Sequence, residues 1–84
     1  MALILSHHAR LRMQQHLIVQ AWVETTIEQP GHVEPCPRDP VLMRAWRRIP
    51  QHGNRVLRVV YRPSGADAVV ISVFFDRGAQ QWLP

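Results

Sequence analysis

The chain contains no lysine, and all ten of its basic side chains are arginine. It has a single cysteine, Cys36, so no internal disulfide can form, which fits a reducing compartment. It has no long apolar run. The N-terminal stretch MALILSHHAR offers five apolar residues before polar ones begin, too few for a signal peptide or a membrane span. A cytoplasmic location with no membrane association is therefore expected. There is no CxxC pair, and the histidines never fall at the H-x-x-x-H spacing of a zinc site. His7 and His8 point about 100° apart on a helix, and His8 and His16 are two turns apart. No metal and no cofactor is expected unless the fold gathers His7, His32 or His52. Neither Ser72 nor Cys36 has a base placed beside it in sequence, so neither is a candidate nucleophile. Repeats and low-complexity tracts are absent as well.

What is present suits one domain spanning residues 1–84, with 76–84 as a tail. Apolar residues make up 46% of the chain, enough for a core, although a chain this short buries a smaller share of its surface than a typical domain. Ten arginines stand against six acids, giving a net charge of +4 and a pI near 11.1. The planar guanidinium fork binds phosphate bidentately and stays charged. A GC-rich genome also favours arginine codons over lysine codons, but codon usage does not explain the net charge, which favours an anionic partner.

Ala2 to Leu5 reads as a short strand or a packed lead-in. Ser6 is a plausible N-cap for a helix over 7–16, where Ala9, Met13 and Leu17 form an apolar stripe bordered by His8, Arg12 and His16. Residues 19–28 read as a second helix, with Val19, Trp22, Val23, Thr26 and Ile27 on one face, ended by Pro30-Gly31. His32 to Pro35 suggests another short strand, and the three prolines of 35–40 require a loop or an extended edge. Strands are expected over 42–49, 55–62 and 68–75, joined by two turn-rich five-residue connections. The fold class is therefore α+β, with two N-terminal helices on one face of an antiparallel meander. Met13, Trp22, Val23, Ile27, Leu57, Val59, Ile71 and Val73 are the expected core.

The two-residue period of a strand sorts the arginines. Leu57, Val59 and Tyr61 share one face, while Arg58 and Arg62 share the other. Arg44, Trp46 and Arg48 share a face of the preceding strand, with Arg47 behind. With outward faces matched, Arg44, Trp46, Arg48, Arg58 and Arg62 form one basic surface. That surface is either a solvated edge that discourages aggregation or a binding site for RNA or an acidic protein segment. Trp46 either stacks an unpaired base or lies under the tail. Tyr61 reads as a core tyrosine with its hydroxyl at the rim.

Four segments, His8 to Met13, Trp22 to Pro30, Arg55 to Tyr61 and Val69 to Phe75, follow one another in a familiar order. Together they resemble a family of small bacterial domains of unknown function, which is similar to the RelE, ParE and BrnT toxins of toxin–antitoxin pairs. The resemblance spans about residues 5 to 77. It departs at His16-Leu17, where the family usually has Arg-Gly, and at Val19-Gln20, where it usually has a capped, Glu-rich helix start. The resemblance implies a RelE-like fold, a cognate antitoxin partner, and metal-independent cleavage of mRNA by attack of a ribose 2′-hydroxyl on the adjacent phosphate. Such cleavage needs an acid or base and cations on the phosphate. His8 with Arg12 one turn later, together with Arg58, is the catalytic set expected for it, although a histidine at a helix start is also an ordinary structural residue. A non-catalytic binding domain using the same arginine surface is the alternative.

Overall fold

Ser6 does two jobs at the first chain reversal. Its hydroxyl accepts a hydrogen bond from Ala9 N at 3.0 Å, capping α1 (His7–His16), and donates to Ile71 O at 3.0 Å. The computed structural model describes residues 1–84, with β1 (Leu3–Leu5), α1, α2 (Gln20–Glu28), β2 (His32–Pro35), β3 (Met43–Ile49), β4 (Arg55–Ser64) and β5 (Asp67–Phe75) in chain order. Short 3₁₀ turns lie at Pro50–His52 and Gly78–Gln81. No helix is long and apolar enough to cross a membrane.

The antiparallel, RelE-like meander expected from the sequence is corrected by the sheet itself. The sheet has five strands in the order β1-β5-β4-β3-β2, and β1 runs parallel to β5. β2 to β5 are antiparallel neighbours, but β1 closes the other edge by pairing Leu3–Leu5 with Ala68–Val70. Three residues carry no readable period, and their partners lie some 65 residues away, so local pattern could not place them.

Both helices cover the sheet face that carries Leu57 and Val59. Ala9 and Met13 of α1, Ile18, Val23 of α2, Ile49, Leu57, Val59, Val70 and Val73 form one buried cluster, with Trp22, Ile27, Tyr61 and Phe75 packed half-buried against it. The buried hydroxyl of Thr26 donates to Trp22 O, so α2 buries no unsatisfied side chain there.

One expected core position, Ile71, and one position of the α1 apolar stripe, Leu17, move outward. Ile71 is the extra residue of a β-bulge: Val60 pairs with Ser72, and Tyr61 with Val70. The bulge shifts the alternation, and Val70 takes the core position instead. Leu17 ends α1 in a left-handed conformation, φ 54°, and is 79% exposed, while Ile18 turns inward. Outside this core, Trp46, Val56, Ala79 and Leu83 form a second cluster on the opposite sheet face, under the C-terminal tail.

Candidate functional site

The face opposite the helices is where the outward arginines fall. Trp46 pairs with Arg58, Arg44 with Val60 and Arg48 with Val56, and residues directly opposite in an antiparallel pair share a face. Arg44, Trp46, Arg48, Arg58 and Arg62 therefore lie on one side of the sheet, as the strand period predicts. Their partners divide that side into two halves.

In one half the tail is tied down. The Arg48 guanidinium donates to Leu83 O at 2.7 Å, to Gln80 O and Gln80 Oε1 at 3.1 Å each, and more weakly to Asn54 O and Pro84 O at 3.4 Å. These carbonyls close the last 3₁₀ turn, so Arg48 acts as its cap and its donors are already occupied. Trp46 is 4% exposed, and its Nε1 donates to Asp76 Oδ2 at 2.9 Å. The other oxygen of Asp76 accepts from Ala79 N at 3.2 Å. Trp82 meets Trp46 edge-on, with ring centroids 5.2 Å apart. Of the two readings of Trp46, the structure gives the covered one. Gly31 makes room for the tail, since a Cβ there would stand 3.3 Å from Leu83 and 3.4 Å from Trp46 O.

In the other half the arginines are less satisfied. Arg58 sits between two aromatic rings, 4.9 Å from Phe74 and 5.6 Å from Trp46, and has no carboxylate partner. Its Nε is buried without an acceptor. Arg44 lies 5.2 Å from Trp46 and pairs with Glu34 across the β2–β3 register, yet its Nε is also buried and unpartnered. Arg38 comes in from the proline-rich loop. Cys36, Pro37, Arg38, Arg44 and Arg58 together line a pocket of about 300 Å³. Three arginines and no carboxylate are among its lining residues, an arrangement that favours an anion.

Glu34 is held between Arg44 and His32, whose Nε2 lies 3.3 Å away. The His32 hydrogen bond, with the Arg44 charge added, holds its carboxyl below the ordinary value. His32 also touches Trp46 and Trp82, at ring distances of 5.5 and 5.4 Å.

The three expected catalytic residues are not brought together. His8 and Arg12 are exposed on α1, in the helical layer, and the sheet stands between them and Arg58. Tyr61 faces the helices half-buried, and burial pushes its phenol above the ordinary value. Arg62 is exposed near the end of β4. No three His, Cys, Asp or Glu side chains gather in a way that would hold a metal ion.

Glu34, Cys36, Arg38 and Phe74 join the site without having been singled out from sequence. Phase alone would have found Glu34 and Phe74, which stand opposite Arg44 and Arg58, once the strand registers were known. Cys36 and Arg38 sit in an aperiodic loop and carry no such signal.

A family described as a domain of unknown function, DUF4258, matches residues 5–75. The chain belongs to the DUF4258 family. No curated protein and no solved structure matches it. The DUF4258 match includes every pocket residue from Cys36 to Arg58 and stops at Phe75, before the tail that covers Trp46. It carries no toxin, nuclease or partner with it.

Proposed function

We propose that this DUF4258 domain binds single-stranded RNA through its phosphates, on the sheet face opposite the helices, with Arg58 and Arg38 as the contact groups. The observation that carries the reading is the state of Arg58, which is held by two rings but left without an anion. Its terminal nitrogens are accessible and make no hydrogen bond within the protein, so a phosphate oxygen there would gain charge-assisted hydrogen bonds. Trp82, 50% exposed at the far side of Trp46, and exposed His32 beside it offer surfaces on which a base can stack. The net charge of +4 also suits an acidic protein partner, such as a cognate antitoxin, that would mask the same arginines.

The test is fluorescence anisotropy with a short unstructured RNA over a salt series. Each lost phosphate contact removes about 0.7 from the slope of log K against log salt on a single strand. Arg58→Ala is expected to weaken binding and flatten the slope by about that amount, and Arg58→Lys to restore only part of the affinity because the fork is lost. Binding that ignores both salt and Arg58 would overturn the proposal.

A second reading, RNA cleavage, has one observation in its favour. His32 and Glu34 are in contact beside Arg44, so a carboxylate and an imidazole stand near the guanidinium groups. In that chemistry Glu34 would take the 2′-hydroxyl proton as the oxygen attacks phosphorus, and protonated His32 would give a proton to the departing 5′-oxygen. RNA fragments ending in 2′,3′-cyclic phosphate, lost on His32→Gln, are its required signature.

A further inference from the structure

Resting on the RNA-binding reading, we infer that the pocket of Cys36, Pro37, Arg38, Arg44 and Arg58 takes a terminal phosphomonoester of the strand rather than an internal diester. The first argument is charge. Arg44 is already neutralised by Glu34, whereas Arg38 and Arg58 form no ion pair. The lining thus presents two uncompensated positive charges. A diester carries one negative charge, and a monoester carries about −1.5 to −2 near pH 7. The monoester matches the pocket, and a diester leaves one guanidinium facing an anion deficit.

The second argument is acceptors. Arg44 and Arg58 come from different strands, and the loop supplies Arg38. Arg38 and Arg58 donate no hydrogen bond within the protein, and Arg44 donates only to Glu34. Three donor directions ask for three acceptors. A monoester has three terminal oxygens of high charge, and an internal diester has two.

The third argument is shape. The pocket holds about 300 Å³, the low end of the range for small-ligand sites, so it has room for a phosphate and its sugar. The segment Cys36-Pro37-Arg38 forms part of its wall. An internal phosphate would need the strand to enter and leave through that concavity. An end needs to enter only once.

The experiment compares one RNA hexamer in three forms: hydroxyl at both ends, 5′-phosphate, and 3′-phosphate. A phosphate at one end is expected to tighten binding about ten- to a hundred-fold, the range of a charge-assisted contact. The end that tightens identifies which terminus is read. Arg38→Gln, in the loop and outside both buried clusters, is expected to erase most of that gain while the melting curve stays unchanged. Cys36, the only thiol, gives an independent readout: adenosine monophosphate should slow its alkylation by iodoacetamide, and adenosine should not. Equal affinity for all three hexamers would overturn the inference and leave RNA binding standing. If no hexamer binds but the monophosphate still protects Cys36, the monoester site stands and the RNA reading falls. If adenosine and its monophosphate protect Cys36 equally, or neither does, the site as described is overturned.

Discussion

Replacing Arg48 with alanine should loosen the tail and leave the rest of the sheet intact. Three of its five hydrogen bonds, to Leu83 O, Gln80 O and Gln80 Oε1, are at 3.1 Å or less, and the two at 3.4 Å add little. A hydrogen bond to a charged group contributes roughly 1.5–3 kcal/mol net when it is formed alone. The three share one partially exposed side chain, so their sum is well below additive, and about 2 kcal/mol is expected. In a domain of this size, about 1 kcal/mol moves Tm by roughly 4–8 °C, so Tm should fall by about 8–16 °C. Thermal unfolding followed by circular dichroism measures this directly. Tryptophan emission provides a second signal, because Trp46 is buried by the tail and Trp82 belongs to it, so undocking should shift the native-state spectrum to the red. Leu83→Ala removes a buried side chain and should cost about 2–5 kcal/mol. If both substitutions act by releasing the same segment, the double variant will be much less destabilised than the sum. An unchanged Tm with an unchanged emission maximum in Arg48→Ala would refute the tail-anchoring role and return Arg48 to the binding surface.

Two further outcomes follow from local structure. Leu17→Gly should raise stability by about 0.5–1 kcal/mol, because Leu17 is a left-handed helix end that buries almost nothing, and glycine adopts φ 54° without the cost of a Cβ; a lowered Tm would contradict it. Glu34 has a folded-state carboxyl held below its ordinary value of 4.5, so its stabilising contribution is present above that pH and is lost as pH falls below it. A side-chain NMR titration should place its midpoint below 4.5 and show it returning upward in His32→Gln, since the His32 hydrogen bond is the larger cause; an unmoved midpoint would remove His32 from that role.

Much of the architecture can be read locally. Ser6 as a cap, a helix over 7–16, and the outward phase of Arg44, Arg48 and Arg58 follow from spacing, and the structure has them; the second helix, expected over 19–28, starts one residue later, at Gln20. What spacing missed are the features that depend on distant partners. Ala2–Leu5 is open in the sequence between a strand and a lead-in, and its parallel pairing with β5 is what local spacing misses. Val70 displaces Ile71 from the core because one extra residue is accommodated where Ser6 reaches Ile71 O. The site divides the same way. Arg44 and Arg58 are found by phase, but Arg38 and Cys36 need the loop to fold back, and nothing periodic says that the tail will reach Arg48. Leu17 stands where the family resemblance leads one to expect glycine, and it adopts the backbone that glycine would favour.

How each arginine is held decides what it can still do. Arg47 donates to Gln29 O at 2.5 Å, at the end of α2. Arg55 lies over Phe75 at 4.4 Å and beside His52. Arg48 closes the tail, and Arg44 is paired with Glu34. In a carboxylate pair or a carbonyl cap the guanidinium is held through its N–H edge, and those donors are then occupied. Arg58 lies over the rings of Trp46 and Phe74, and these cation–π contacts occupy none of its donors; its Nε is buried, and its terminal nitrogens stay open. A guanidinium fixed in this way is positioned without being neutralised, as a phosphate site requires. One of the two rings, Trp46, is itself fixed by Asp76 and by the tail that Arg48 anchors. The covered half of the sheet face thus supports the open half: the tail sets Trp46, Trp46 helps set Arg58, and Arg58 keeps its donors for a ligand.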